Sequence, residues 1–417
     1  MARRLFLHVG TPKTGTSYLQ SVIWGNEQAL KHAGLLLPLG SAREHFYLSN
    51  VARDAVRAKA AMPRAGQTAW ARLLEQLEGW DRDALISHEL FTAVPPERIT
   101  WVRQEFAKVS DSLHIVVTAR DFARQVPAEW QQSIKHGRTH SLREYCERLQ
   151  ATDPDKPAEQ RAKSSSFFWR VQHLPRVLDK WGADLPAAQV HLVTVPSSGA
   201  PRGLLWQRFA SVLDIDSESV EQSNTLPNES LGVDEIETLR RVNTLIPRDL
   251  PTPQVQLLVK QILSEGVLAS RAGMRKIQTP ADLHAWMVGR GTAMSEQLRP
   301  RNWSLVGDLD ELVPGPRPAG GALPDDVDDR TVAAVAVETV AGLLFDRDDL
   351  PTQRLVAQQR TLASELEKRS ARVDELRDAL RQERDVREWE RHHPVRAQAR
   401  RVTGRLRRQC KPAAAPD

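Results

Sequence analysis

The sequence predicts an α/β protein, a parallel sheet flanked by helices with a helical extension at its C-terminal end. Three observations carry this expectation. Short apolar runs of strand length alternate with longer segments of helical spacing through the first half of the chain. The first run leads into a Gly/Thr-rich turn and then an amphipathic helix, the layout of a phosphate-binding loop. Beyond a Pro/Gly-rich break near residue 314, the pattern becomes helical and heavily charged.

The predicted strands are Leu5–Val9, Leu35–Leu37, Ala84–Ser87, His114–Ala119 and Val190–Val195. The predicted helices between and after them include Ser17–Lys31, Ala69–Leu77, Ala123–His136, Phe167–Trp181 and Leu204–Leu213. Strands joined by helical crossovers run parallel, and ligands of such sheets sit at the carboxyl ends of the strands. From about Asn224 to Arg299 the spacing is mostly helical, with early acidic residues marking a helix start after Asn228. The expected organisation is an α/β body over 1–313, a linker over 314–327, a helical extension over 328–390 and a basic tail over 391–417. Thr331–Leu344 reads as an Ala/Val-rich helix. Leu355, Leu362, Leu366, Val373, Leu376 and Leu380 then fall on a/d positions, which suits a coiled coil joining copies of the chain. Gln359 and Arg369 interrupt that seam, so a single solvated helix is the competing reading.

The chain has 417 residues, 41% hydrophobic and 27% charged, the composition of a soluble globular protein. No apolar run approaches the ~18 residues that cross a membrane. Leu5–Val9 is too short for a secretory signal core and is better used as a strand. Cys146 and Cys410 lie far apart, so no disulfide framework is implied and a cytoplasmic location is expected. The histidines show no metal-ligand spacing, and no metal is expected. The net charge of +5 belongs to the tail: residues 391–417 hold eight Lys/Arg and one acid, which leaves the rest slightly acidic. Nucleic acid is therefore not an expected partner; the tail suits solubilisation or contact with an anionic surface.

The loop reads Gly10-Thr-Pro-Lys13-Thr-Gly15-Thr-Ser17. Loops that hydrolyse nucleotides read G-x-x-x-x-G-K-[ST]. Here Thr16 occupies the lysine position, and the loop's lysine, Lys13, sits at the tip of the turn. No strand ends in an acidic residue placed to hold Mg²⁺ as in an NTPase. A phosphate cradle without Mg²⁺-dependent chemistry is the reading this supports.

Thr11-Pro12-Lys13-Thr14-Gly15-Thr16-Ser17-Tyr18-Leu19 resembles the 5′-phosphosulfate loop of sulfotransferases, which use 3′-phosphoadenosine 5′-phosphosulfate (PAPS) as sulfuryl donor and release 3′,5′-adenosine bisphosphate (PAP). The resemblance implies that Lys13 contacts the transferring group and that Thr14, Gly15, Thr16 and Ser17 bind the 5′-phosphate beside Thr11 and Pro12. His114 to Trp130 resembles the family's 3′-phosphate motif, with Arg120 in the arginine position and Ala128 where the motif has serine. Ser133, Gln125 and Arg124 are the residues nearby that could replace that serine. An ion pair with Asp121 is the structural alternative for Arg120. Lys135, His136 and Arg138 suit a solvated helix end, or else the wall of a cleft.

Ser87-His88-Glu89 follows a strand directly, where the family often places its catalytic base. An acceptor hydroxyl attacking sulfur must lose its proton, and a positioned base supplies about 10²–10⁴-fold. Neighbouring residues on a turn point apart, so one of His88 and Glu89 is the expected base, with Glu89 preferred. Asn224 to Asn228 suits a loop bordering the cleft, and Arg271 to Lys276 is a faint echo of the family's late glycine-rich motif. The resulting expectation is a PAPS-dependent sulfotransferase acting on a small-molecule or glycan hydroxyl, on a carbohydrate, lipid or secondary metabolite. The alternatives are a small-molecule kinase and an inactive scaffold of the same fold.

Overall fold

The computed structural model describes residues 1–162, 166–201, 203–222, 230–247 and 249–345. Its centre is one sheet of six parallel strands: β1 (Ala2–Gly10), β2 (Leu35–Leu36), β3 (Asp83–Ser87), β4 (Ser110–Ala119), β5 (Val190–Thr194) and β6 (Ser304–Val306). Their order is β2-β3-β1-β4-β5-β6. All five predicted strands are present. β6 has no clear sequence signal because it is three residues long and only partly buried at the sheet edge, pairing His191 with Ser304 and Val193 with Val306.

The main helices are α1 (Thr16–Gly25), α2 (Ala42–Ala52), α3 (Ala69–Glu78), α4 (Pro96–Ala107), α5 (Phe122–Lys135), α6 (Leu142–Ala151), α7 (Leu174–Gly182), α8 (Leu204–Val212), α9 (Val233–Leu245), α10 (Ala281–Leu298) and α11 (Asp329–Phe345). Two long predicted helices are each broken in two. Ser17–Lys31 divides at Asn26, whose side-chain amide donates to Val22 and Glu221 carbonyls. Phe167–Trp181 divides at His173, which caps α7 by accepting the Arg176 amide, with Pro175 in the first turn.

Strand alternation sorts the core into two layers. Leu5, Leu7, Val9, Ile115 and Val117 face the side covered by α3, α4, α5, α7 and α10. Phe6, Leu85, Val116 and Val193 face the side covered by α1 and α8. The chain leaves β1 toward β2 and β3 on one side, then crosses to β4 on the other. The carboxyl ends of β1, β3 and β4 therefore meet where strand order reverses, the place at which open α/β sheets take their ligands.

The Pro/Gly-rich segment 314–327 is strapped to the body rather than free. Ala322 exchanges backbone hydrogen bonds with Lys276 and Gln278 at 3.0 and 2.9 Å, and α11 continues the contact through Arg241–Asp329 and Arg271–Glu338 ion pairs. The compact unit runs from Met1 to Gly342, past the expected boundary at 313. Proline and glycine suppress ladders and helices, but not packing by isolated bridges. The heptads of 355–380 and the basic tail of 391–417 lie outside the described residues. Among the described residues, no helix is long and apolar enough to cross a membrane.

Three imidazoles are sunk into this sheet and its cover. Burial holds His8 down to about 3, with His88 adding to the effect. Burial likewise holds His45 and His191 down to about 4. In the unfolded chain each takes a proton near pH 6.5, whereas the folded chain refuses it. The stability they contribute is complete above that pH and declines as pH falls below it. Between pH 7.5 and 5.5 each should lose about 1.4 kcal/mol, which urea titration at the two pH values would reveal as a lower midpoint.

Candidate active site

The site begins with the backbone at the end of β1. Gly10 has φ 94°, Lys13 φ 63° and Gly15 φ 81°, so the loop coils through three left-handed residues before α1 starts. At Gly10 the requirement is also steric, since a Cβ would lie 2.9 Å from the Glu89 Cα. Lys13 adopts the same region with a side chain, and its carbonyl accepts from Arg120 Nη1 at 3.2 Å.

Polar side chains support the loop from below. The Thr11 amide donates to Thr118 O at 2.9 Å. The Thr14 hydroxyl lies 2.6 Å from the Thr118 hydroxyl, which lies 3.2 Å from His8 Nε2; His8 Nδ1 lies 2.8 Å from the Ser87 hydroxyl. This chain crosses three strands and is satisfied with His8 neutral. On the α5 side, Gln125 and Gln172 each donate to Pro12 O at 2.9 Å, and Gln125 donates to Gln172 at 2.5 Å.

With the side chains so engaged, the loop amides are left over. Among the described residues, the N–H groups of Lys13, Thr14, Gly15, Thr16 and Ser17 have no protein acceptor. They form a nest of donors at the positive end of α1. Thr11, Pro12, Thr14 and Thr16 are buried, and Ser17 is exposed at the helix start.

Arg120 follows β4 and points to this loop. It is not paired with Asp121, which instead caps α5 through the Arg124 amide and pairs with the Arg124 guanidinium. Arg120 Nε is buried and lacks a partner among the described residues. Burial, with Arg124 nearby, lowers its affinity for the proton to about 10. A desolvated, under-partnered guanidinium beside free amides is arranged to receive an anion. Ala128 lies half-buried on α5 and offers only a methyl group. The three nearby residues are already engaged: Ser133 faces His140 and donates to Trp130 O, Arg124 binds Asp121 and Pro196 O, and Gln125 clasps the loop.

His88 and Glu89 diverge. His88 accepts the Leu90 amide at 3.1 Å through Nδ1 and packs against Phe46 of α2. Burial, then His45 and Arg53, hold it down to about 4. Glu89 turns toward the loop. Burial raises its carboxyl, while Lys13, Thr16 and Lys260 oppose that rise. Lys260 arrives on the helical segment Gln256–Val267.

A second carboxylate, Glu129, was not singled out by sequence. It lies on α5 and accepts from Gln172 Nε2 at 3.2 Å. Burial lifts it to about 7, against Lys13 and Gln172 and with help from Glu89. One turn on, Gln132 accepts the Lys13 ammonium at 2.7 Å. Gln125, Glu129, Gln132 and His136 follow helical spacing, a polar stripe visible in the sequence. Gln172 and Lys260 had no such signal, because only the fold brings them here. Of the remaining candidates, Lys135 is buried on α5, His136 is exposed and bonds to Gln132, and Arg138 is exposed. Arg271 and Arg275 are committed to acids on α9, and Asn224 to Asn228 lie outside the described residues.

No protein-family model matches this chain, and no curated protein matches it. Among solved structures, a sulfotransferase from Alicyclobacillus acidocaldarius is similar over 60% of this chain and 98% of its own, at 16% identity and a TM-score of 0.35.

Gly10→Ala places a methyl group against Glu89 and forces φ 94° on a residue with a side chain. The left-handed conformation alone costs about 1–2 kcal/mol, so a larger loss of stability is expected in thermal or urea unfolding, together with weaker anion binding at the loop.

Proposed function

We propose that this protein transfers a sulfuryl group from PAPS to an acceptor hydroxyl. The observation that carries the reading is the nest of unpartnered amides over 13–17, flanked by the under-partnered Arg120 and by Lys13. The nest and the α1 terminus suit the 5′-phosphate of the donor, and Arg120 suits its 3′-phosphate. Lys13 stands at the tip, where it would meet the transferring group and the bridging oxygen. The site lies at the strand ends, where the sheet reverses order.

The reaction is an in-line displacement. The acceptor oxygen bonds to sulfur, and the bond from sulfur to the bridging oxygen breaks. The electron pair of that bond leaves with PAP, whose phosphate needs no proton. The acceptor's own proton passes to a base on the acceptor side, for which Glu89 is the residue turned toward the loop, while His88 is turned away. A sulfuryl group carries less charge than a phosphoryl, so side-chain cations and amides can stabilise the transition state. Turnover is therefore expected to survive EDTA; absolute dependence on Mg²⁺ would count against the reading.

The second reading, a small-molecule kinase, would use the same amide nest for a nucleotide phosphate, although Thr16 stands where such loops carry lysine. Calorimetric titration separates the readings. PAP is expected to bind wild-type protein, with Lys13→Ala and Arg120→Ala each weakening it at least tenfold. ATP–Mg²⁺ binding without PAP binding would establish the kinase, and PAP binding with no PAPS turnover would indicate a scaffold.

A further inference from the structure

We propose that Glu129 is the second member of the proton-accepting pair, with the acceptor hydroxyl held between Glu129 and Glu89 in front of the Lys13 ammonium. The inference rests on the sulfuryl-transfer reading and adds to it a residue from a different element of the fold.

Placement is the first argument. Glu129 sits on α5 between Gln125, which clasps the loop at Pro12 O, and Gln132, which holds the Lys13 ammonium. Gln172 bridges from Pro12 O to Glu129, at 2.9 and 3.2 Å. The carboxylate is thus fixed relative to the loop by the amides that fix the loop itself.

Partnering is the second. A carboxylate offers about four lone-pair directions. Among the described residues, Gln172 is the one hydrogen-bond donor to the Glu129 side chain, and it makes no ion pair. Lys13, within electrostatic reach of both acids, donates to neutral Gln132 instead. A half-buried acid with spare acceptor capacity, beside a cation that does not neutralise it, is available for a hydroxyl proton.

Electrostatics agree. The titratable groups facing Glu129 are Lys13 from the loop, Glu89 from the end of β3 and Tyr145 from α6. Burial raises both acids, Lys13 opposes the rise of each, and Glu89 adds to the rise of Glu129. Glu129 is held near 7, where a general base is both ionised and basic enough to act. During transfer, the acceptor O–H bond breaks as oxygen bonds to sulfur, the proton passes to the ionised carboxylate of the pair, and solvent later removes it.

The test uses full-length protein and PAPS, with water as the hydroxyl acceptor and PAP release as the signal. Glu129→Gln should bind PAP within about threefold of wild type. It should slow release by about 10²–10⁴-fold and abolish the rise of rate with pH through neutrality. Glu89→Gln should move that rise to lower pH, because it removes the neighbouring charge. The double variant should be far less impaired than the product of the two single effects. Unaltered rate and pH profile in Glu129→Gln would overturn the proposal. Loss of PAP binding in step with rate would also overturn it, by making Glu129 a strut for the loop. Should Glu129→Gln fail to fold, Glu129→Asp decides: a slower rate with the pH rise retained supports the pair, and an unchanged rate refutes it. Wild-type protein that binds no PAP would remove the sulfuryl-transfer reading itself, and the pair with it.

Discussion

The close approach of Gly10 to Glu89 is the constraint on which the site depends. The Cβ that glycine lacks would sit 2.9 Å from the Glu89 backbone, so the end of β1 and the turn after β3 are in contact as main chain on main chain. This contact places a carboxylate beside the loop with no loop of its own to move. It also starts the left-handed coil that Lys13 and Gly15 continue, and that coil turns the amides of 13–17 outward. A side chain at position 10 would push the two segments apart and lose both features together.

What lies under the loop is uncharged, and that is why the loop can be an anion site. Ser87, His8, Thr118 and Thr14 form a continuous hydrogen-bonded chain across β3, β1 and β4, with His8 neutral. Had the support been acidic, its field would oppose a phosphate. Had it been cationic, it would compete with the amides for the same ligand. Neutral donors and acceptors satisfy the strand ends and leave the loop amides unpartnered, with Lys13 and Arg120 beside them. The acids stand on the turn after β3, whose backbone meets Gly10, and on α5.

Much of this was legible in the sequence, and the reasons are local. The loop follows from Gly and Thr spacing after an apolar strand, and five strands follow from short apolar runs. β6 did not, because Ser304–Val306 is a three-residue edge strand with only partial burial to encode. The helix breaks at Asn26 and His173 depend on side-chain hydrogen bonds that periodicity does not register. The Pro/Gly composition of 314–327 marks irregular chain, but attachment to Lys276 and Gln278 is a tertiary fact. At the site, the motif positions point to Ala128, whereas Glu129 belongs to no motif position. The helical stripe of Gln125, Glu129, Gln132 and His136 was present in the same residues. Gln172, which joins that stripe to the loop, is far away in sequence and carries no local signature.

α5 accordingly does more than cover the sheet. Its inner face, Val126, Trp130 and Ile134, is fully buried and fixes the helix in the core. Its polar stripe then has no freedom of its own: Gln125 holds the loop backbone, Gln132 holds the Lys13 ammonium, and Glu129 falls between them. Its first turn is locked by Asp121, which also draws Arg124 away toward β5 and leaves Arg120 for the loop. The loop backbone, the position of the Lys13 cation and the placement of Glu129 are therefore set by one rigid element packed on the sheet. Because rigid packing keeps charged groups from reorganising during reaction, an acid buried between two such anchors can stand near a lysine without collapsing onto it.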